Sequence, residues 1–219
     1  MPAGLRSLLD LIASREGGYN SMNQGTSGNR IVGSTHNAAS ILGKNLTDMT
    51  IREVMAQQNA GRLFAAGKYQ IIPVTMRFIV DRLKLASDAL FDAGTQERMG
   101  LGLIEIKRPY AWKYLQGAHS DRNGAMLALA QEWASLPDPR TGNSFYGGAN
   151  RAGHTVAQVA AAIDAARRDV MAAGGAPPSA GGGGGGSSGK LETAGAGGGS
   201  ILPIVAVVAV AGWLLLRRR

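Results

Sequence analysis

The stretch Ser14-Arg15-Glu16-Gly17-Gly18-Tyr19-Asn20 sets a carboxylate directly after a helix-like run and directly before two glycines. At the carbonyl-rich end of a helix, walled by apolar side chains, a glutamate is disfavoured as an anion and its pKa rises. A carboxyl so shifted donates a proton near neutral pH, which is what cleavage of a glycosidic bond asks of its general acid. Gly17 and Gly18 would let the chain turn away and leave a cleft open. The local pattern alone leaves open an ordinary solvated charge at a helix end.

Two further stretches carry groups suited to holding a sugar. In AAGKYQIIPVTM, residues 65–76, a glycine, a β-like run and a proline read as a loop set in place before a new helix. Tyr69 has a flat amphipathic face for a saccharide, and Gln70 has both a donor and an acceptor for hydroxyl or acetamido groups. A core tyrosine and a glutamine satisfying backbone fit the same residues equally well. In QEWASLPDP, residues 131–139, and the TGNSFYGGANRA that follows, Trp133 and Tyr146 are large aromatics near loops, suited to lining a groove. Trp133 serves equally well as core. Glu132 and Asp138 are the nearby carboxylates, and neither has a spacing that pairs it with Glu16.

The composition excludes several other chemistries. There is no cysteine, so a disulfide framework or a cysteine-based zinc site is impossible. His36, His119 and His154 are scattered without helical ligand spacing, so neither a metal nor a cofactor is expected. The net charge of +8 favours polyanionic surroundings. Lysines and arginines stand singly along the chain, without the basic helix or aromatic strand motif of a specific nucleic-acid binder.

These residues need a scaffold, and the apolar spacing is helical. Leu5, Leu8, Leu9 and Ile12 stand at i, i+3, i+4 and i+7, predicting a first helix that stops at Gly17. Thr50 and Glu53 form a capping-box pattern opening a second helix that Gly61 ends. Further helices are predicted over 74–86, 93–106, 109–116, 121–135 and 155–173. The Gly-, Asn- and Ser-rich stretch 17–45 has one β-branched pair, Ile31-Val32, which predicts a short hairpin arm.

After Met171 the character changes. Residues 174–200 are mostly glycine and serine, a flexible linker, and residues 201–216 are an uncharged apolar run before the basic tail 217–219. Sixteen helical residues rise about 24 Å, short of the roughly 30 Å hydrocarbon core, a gap that small upstream residues and snorkelling arginines would close. The expectation is one transmembrane helix with its arginines on the cytoplasmic side. That makes the lipid bilayer a partner and the chain a single-pass protein of a virion membrane or bacterial inner membrane, its domain facing the wall. The N-terminal run carries charges inside its apolar stretch and does not read as a signal peptide.

Taken in order, EGGYN, GNRIVG, AAGKYQIIP and EWASLP resemble the motifs of lambda-type phage endolysins, in the lysozyme-like superfamily that includes lytic transglycosylases. The GKYQIIP segment is also similar to the Gly-Leu-Met-Gln-Ile-x-Pro of soluble lytic transglycosylases. The resemblance covers about residues 5–170, and the ordered set is far more specific than any one motif. It implies an α+β, mostly helical lysozyme-like domain over residues 1–173 with a small β-hairpin lobe. It also implies cleavage of the β-1,4 bond between N-acetylmuramic acid and N-acetylglucosamine in peptidoglycan. By motif, Glu16 matches the sole catalytic acid, Tyr69 and Gln70 match cleft residues, and Ile31, Val32 and Gly33 match the arm beside the groove. Tyr19, within the first motif, is expected to contact substrate with them. Lys68 stands where the phage motif has arginine, a change of shape at a contact to phosphate-like or carboxylate groups.

A second acid decides between hydrolysis and transglycosylation. In T4-like lysozymes an Asp or Cys stands nine residues after the glutamate and a Thr six further on; here those positions are Gly25 and Ile31, with Thr26 one place away. A single acid suits a transglycosylase, and a hydrolytic muramidase is the alternative. Two other readings stand beside these: a lysozyme-like domain that grips glycan without cutting it, and a protein that permeabilises membranes through its tail.

Overall fold

The computed structural model describes residues 1–24, 26–27, 30–31, 36–148 and 150–174. Helix α1 (Ala3–Glu16) buries Leu5, Leu8, Leu9 and Ile12 completely, as the heptad-like spacing requires. Its main partner is α8 (Val156–Ala172), which buries Val159, Ile163, Ala166 and Val170. The two axes approach closely because residue 4 is glycine: a Cβ there would lie 2.7 Å from the Ala165 carbonyl oxygen. Asp169 Oδ2 then accepts from the Gly4 amide at 2.6 Å, satisfying one of the free N–H groups of the first turn.

Between these helices run α2 (Ala38–Leu42), α3 (Ile51–Asn59), α4 (Pro73–Arg82), α5 (Ala93–Gly102), α6 (Pro109–Leu115) and α7 (Arg122–Ala130). Local chemistry fixes their starts. The Thr50–Glu53 pair caps α3 reciprocally, the Glu53 amide donating to Thr50 Oγ1 at 3.2 Å and the Thr50 amide to Glu53 Oε2 at 2.6 Å. Thr155 and Gln158 do the same for α8. Helix α5 does not continue regularly to 106. It widens into a π-helical turn over Leu103–Lys107, and Pro109 forces the break before α6. Helix α7 ends at Ala130, and residues 131–136 follow in turns that fold back toward α1.

The β structure corrects the expected hairpin lobe. A three-stranded antiparallel sheet is built from β4 (His36–Asn37), β1 (Ser21–Asn23) and β5 (Ala65–Ala66), with Met22 opposite both His36 and Ala66. A separate two-stranded piece pairs β2 (Thr26–Ser27) with β3 (Arg30–Ile31). Ile31 therefore lies on the minor element, while Val32 and Gly33 lie outside the described residues. Met22 is fully buried and anchors the sheet to the helical core.

The expected transmembrane architecture is corrected as well. Among the described residues no helix is long and apolar enough to cross a membrane. The longest, α8, has 17 residues, bears Asp164, Arg167, Arg168 and Asp169, and packs its apolar stripe against α1. The expected span 201–216, with linker residues 175–200 and tail 217–219, lies outside the described residues. The architecture is thus a mixed, mainly helical fold with a small three-stranded sheet, and the single-pass membrane location that rested on the span is corrected with it.

Candidate active site

Glu16 is the last residue of α1, where the helix carbonyls already disfavour negative charge. The residue is half-buried, but protein atoms surround its carboxyl. Oε1 accepts a hydrogen bond from the Ser135 amide at 3.3 Å. Burial raises the carboxyl's pKa, the Ser135 side chain and amide oppose the rise, and the Glu132 charge adds to it. The Ser135 hydroxyl stands beside the carboxyl in a geometry that falls short of a hydrogen bond, and its Oγ has no partner.

Glu132 is the neighbouring carboxylate, and it is already engaged. Lys107 Nζ donates to Oε1 at 2.7 Å and Arg108 Nε to Oε2 at 2.8 Å, with the Glu132 side chain only 5% exposed. Both cations come from the π-helical turn and the residue after it, and both meet Glu132 in the turn that follows α7. Lys107 further donates to Thr75 Oγ1, and Arg108 to the Gln131 carbonyl. Tyr146 closes this side: its hydroxyl donates to the Gln131 carbonyl at 2.6 Å. Burial pushes the Tyr146 phenol up, the charges of Glu132 and Glu16 add, and Arg108 opposes. Tyr146 and Glu16 therefore feel one another's field.

On the other side of Glu16 the chain turns through Gly17. A Cβ there would lie 2.7 Å from Ser21 Cβ and 3.2 Å from Gln70 Nε2, so only glycine lets the Gln70 turn seat against this corner. Gln70 is held in the left-handed region at φ 46°, strained for a residue with a side chain. Its side-chain Nε2 donates to the carbonyls of Gly67 at 2.9 Å and Ser21 at 3.4 Å. Gln96, buried, ties both turns to α5: its Nε2 donates to the Tyr19 carbonyl at 3.0 Å and its Oε1 accepts from the Lys68 amide at 2.9 Å.

Beneath that turn lies an ion-pair cluster centred on Glu97. Its Oε1 accepts from Lys68 Nζ at 2.5 Å and from Tyr19 OH at 2.7 Å, and its Oε2 accepts from Tyr69 OH at 2.8 Å. Lys68 also donates to Asp10 Oδ1 on α1 at 2.6 Å, and its ammonium lies 5.3 Å and 5.5 Å from the Tyr19 and Tyr69 ring centres. Burial resists ionisation of Glu97, but the donors from Lys68, Tyr19 and Tyr69 outweigh it and hold the carboxyl below its usual range. The Tyr69 phenol is pushed far up by burial and by the Glu97 charge.

These positions revise the expected roles of several residues. Tyr69 is 2% exposed, its ring laid on Gly100 and its hydroxyl spent on Glu97, so it has no free face for a sugar. Trp133, 3% exposed, is core, because the turn after α7 folds it inward. The structure brings Glu16, Gln70 and Tyr146 to one corner, and Tyr19 beside Gln70 through Gln96 and Lys68. The Glu16 neighbour missed from sequence is Ser135, which sits inside the EWASLP run; the ion pairing of Glu132 was not legible either. Glu97 carried no local signal. Among the described residues no group of three or more His, Asp or Glu side chains is placed to hold a metal ion.

A family model described as Endolysin matches residues 6–165, a span that contains every residue of this corner. No curated protein and no solved structure gives a significant match. The family match covers most of the chain, which belongs to the endolysin family, the peptidoglycan-cleaving enzymes of phages.

Proposed function

We propose that the chain cleaves the β-1,4 bond between N-acetylmuramic acid and N-acetylglucosamine as a lytic transglycosylase, with Glu16 as its one acid and base. The observation that carries this reading is the contrast between two neighbouring carboxyls. The Glu16 carboxyl is shielded, its pKa raised by burial, with Ser135 as its hydrogen-bond donor among the described residues, while Glu132 is held in two ion pairs by Lys107 and Arg108. A carboxylate so occupied is neither a free nucleophile nor a base for water, and retaining or inverting hydrolysis needs one of these.

In the proposed sequence Glu16 gives its proton to the glycosidic oxygen as the bond from the muramoyl C1 breaks. The resulting carboxylate then takes the proton of the muramoyl C6 hydroxyl, and O6 bonds to C1, closing a 1,6-anhydro ring with no water consumed. Glu16 ends protonated, ready for another cycle. Both demands suit a carboxyl whose pKa burial raises above its ordinary value, since it must donate and then accept at one pH. Gln70 and Tyr19, on the turns flanking Glu16, are proposed to contact the glycan. The test is mass analysis of the muropeptides released from purified sacculi: 1,6-anhydromuramic ends are expected, and reducing muramic ends would make the enzyme a hydrolytic muramidase.

A further inference from the structure

Ser135 offers Glu16 a second group besides its amide. The amide donates to Glu16 Oε1, while the hydroxyl of the same residue stands beside that carboxyl and has no hydrogen-bond partner among the described residues. Such atoms are scarce in folded proteins, because each forfeits the hydrogen bonds it had in water. Solvent and glycan do not reach Ser135 Oγ, which exposes less than 1 Å². The carboxyl is the polar group in its reach.

The backbone that carries this hydroxyl is fixed. The Gly153 amide donates to the Ser135 carbonyl at 2.8 Å, and the Leu136 amide to the Trp133 carbonyl at 3.1 Å, with Trp133 and Leu136 both buried. Gly153 in turn lies against Arg15, the residue before Glu16: a Cβ at 153 would fall 2.7 Å from Arg15 Cγ. What stays free at Ser135 is rotation of the hydroxyl, which the amide contact does not restrain.

The amide contact also decides where a neutral Glu16 carries its proton. An oxygen that accepts an N–H behaves as the carbonyl oxygen of the acid, so the proton sits on Oε2, to which no described residue donates. When that proton leaves for the glycosidic oxygen, negative charge spreads over both oxygens, and a hydroxyl beside them becomes a donor to an anion. We infer that Ser135 is the positioning residue of this acid, its amide keeping the proton on Oε2 and its hydroxyl donating to the carboxylate that the first step leaves behind. The hydroxyl keeps its own proton throughout. Its hydrogen bond forms as charge develops, so the stabilisation falls on the charged state rather than on the resting enzyme. The other groups that bear on Glu16 are Glu132, held by Lys107 and Arg108, and Tyr146, whose hydroxyl donates to Gln131; none of them donates to the carboxyl. The inference rests on Glu16 as the acid, but not on the fate of the sugar ring.

The test titrates Glu16 in the whole protein by carboxyl 13C NMR, its resonance assigned by its absence from Glu16→Gln. Ser135→Ala keeps the amide and removes a donor to the anion, so Glu16 should titrate at higher pH than in the wild type. On purified sacculi this variant should release muropeptides about tenfold more slowly at saturation, with the half-saturating amount of sacculi unchanged. Its alkaline loss of activity should also move to higher pH, because the acid works while protonated. Ser135→Thr retains the hydroxyl and should titrate as the wild type does. A merely structural role would change the melting temperature without moving the titration. An unmoved Glu16 titration in folded Ser135→Ala, or an equal shift in folded Ser135→Thr, would overturn the inference. The titration needs no turnover, so these outcomes are distinct from a Glu16→Gln protein that still cleaves, which would remove the acid itself.

Discussion

Replacing Glu97 by alanine should damage this protein far more than replacing its lysine partner. Glu97 accepts three hydrogen bonds, from Lys68, Tyr19 and Tyr69, in a site where its own side chain is 17% exposed and that of Lys68 12%. Deleting it leaves a sheltered ammonium with Asp10 as its one remaining carboxylate and leaves two phenols without acceptors. Breaking a buried charge pair by removing one partner costs roughly 3–5 kcal/mol. For a domain of this size that lowers the melting temperature by about 10 °C. Lys68→Met is milder because Glu97 keeps both tyrosine donors, and a loss of about 1–3 kcal/mol follows. The double variant should be less unstable than the two losses summed, by roughly 1–3 kcal/mol, because the second substitution removes a group the first has stranded. Urea denaturation of the four proteins at pH 7 supplies the cycle. Additive effects, or a Glu97→Ala loss below about 1 kcal/mol, would refute the buried-cluster argument.

Gly100→Ala would bring a methyl group within 2.4 Å of the Tyr69 ring, which is packed on all sides, so overpacking should cost about 1–3 kcal/mol in the same denaturation assay. Gly17→Ala would press on Ser21 and Gln70 beside Glu16; turnover of sacculi should fall at least tenfold, and a variant with wild-type turnover would separate this corner from the chemistry. Burial raises Glu105 from 4.5 to about 7, with no charged partner and an unbonded Oε1. Because its folded pKa is the higher one, stability is whole below about 4.5 and is lost as pH rises through about 7. Glu105→Gln should therefore match the wild type at pH 4 and exceed it at pH 8 by about 1–2 kcal/mol, a figure already reduced for the solvent that reaches this site. Equal stabilities at pH 8 would refute it.

Much of the helical frame was legible because its signals are local. The apolar spacing of Leu5, Leu8, Leu9 and Ile12 and the glycines that follow mark α1, and the Thr50–Glu53 pair marks the start of α3. The sheet was not legible, since strands of two or three residues leave no periodicity and Ala65–Ala66 has no intrinsic preference for β structure. Their pairing with Met22 is a tertiary fact. The candidate site divides in the same way. Glu16 and Gln70 stand out from their own neighbours, but Tyr69 and Trp133 look alike whether they face a sugar or the core, and burial decided for the core. Glu97 lies 78 residues from Tyr19 and 29 from Lys68, so nothing in its own segment announces the partners it gathers. The π-helical turn that ends α5 was not legible either; its Lys107 and the following Arg108 pair with Glu132, just after α7.

If one shielded carboxyl moves every proton in the proposed reaction, the Glu16→Gln variant must lose turnover. That variant keeps the shape and the Ser135 contact but has no acidic proton. It should fold, as judged by an unchanged circular dichroism spectrum, and release no soluble muropeptide from purified sacculi. A folded Glu16→Gln protein that still solubilises sacculi would contradict the account.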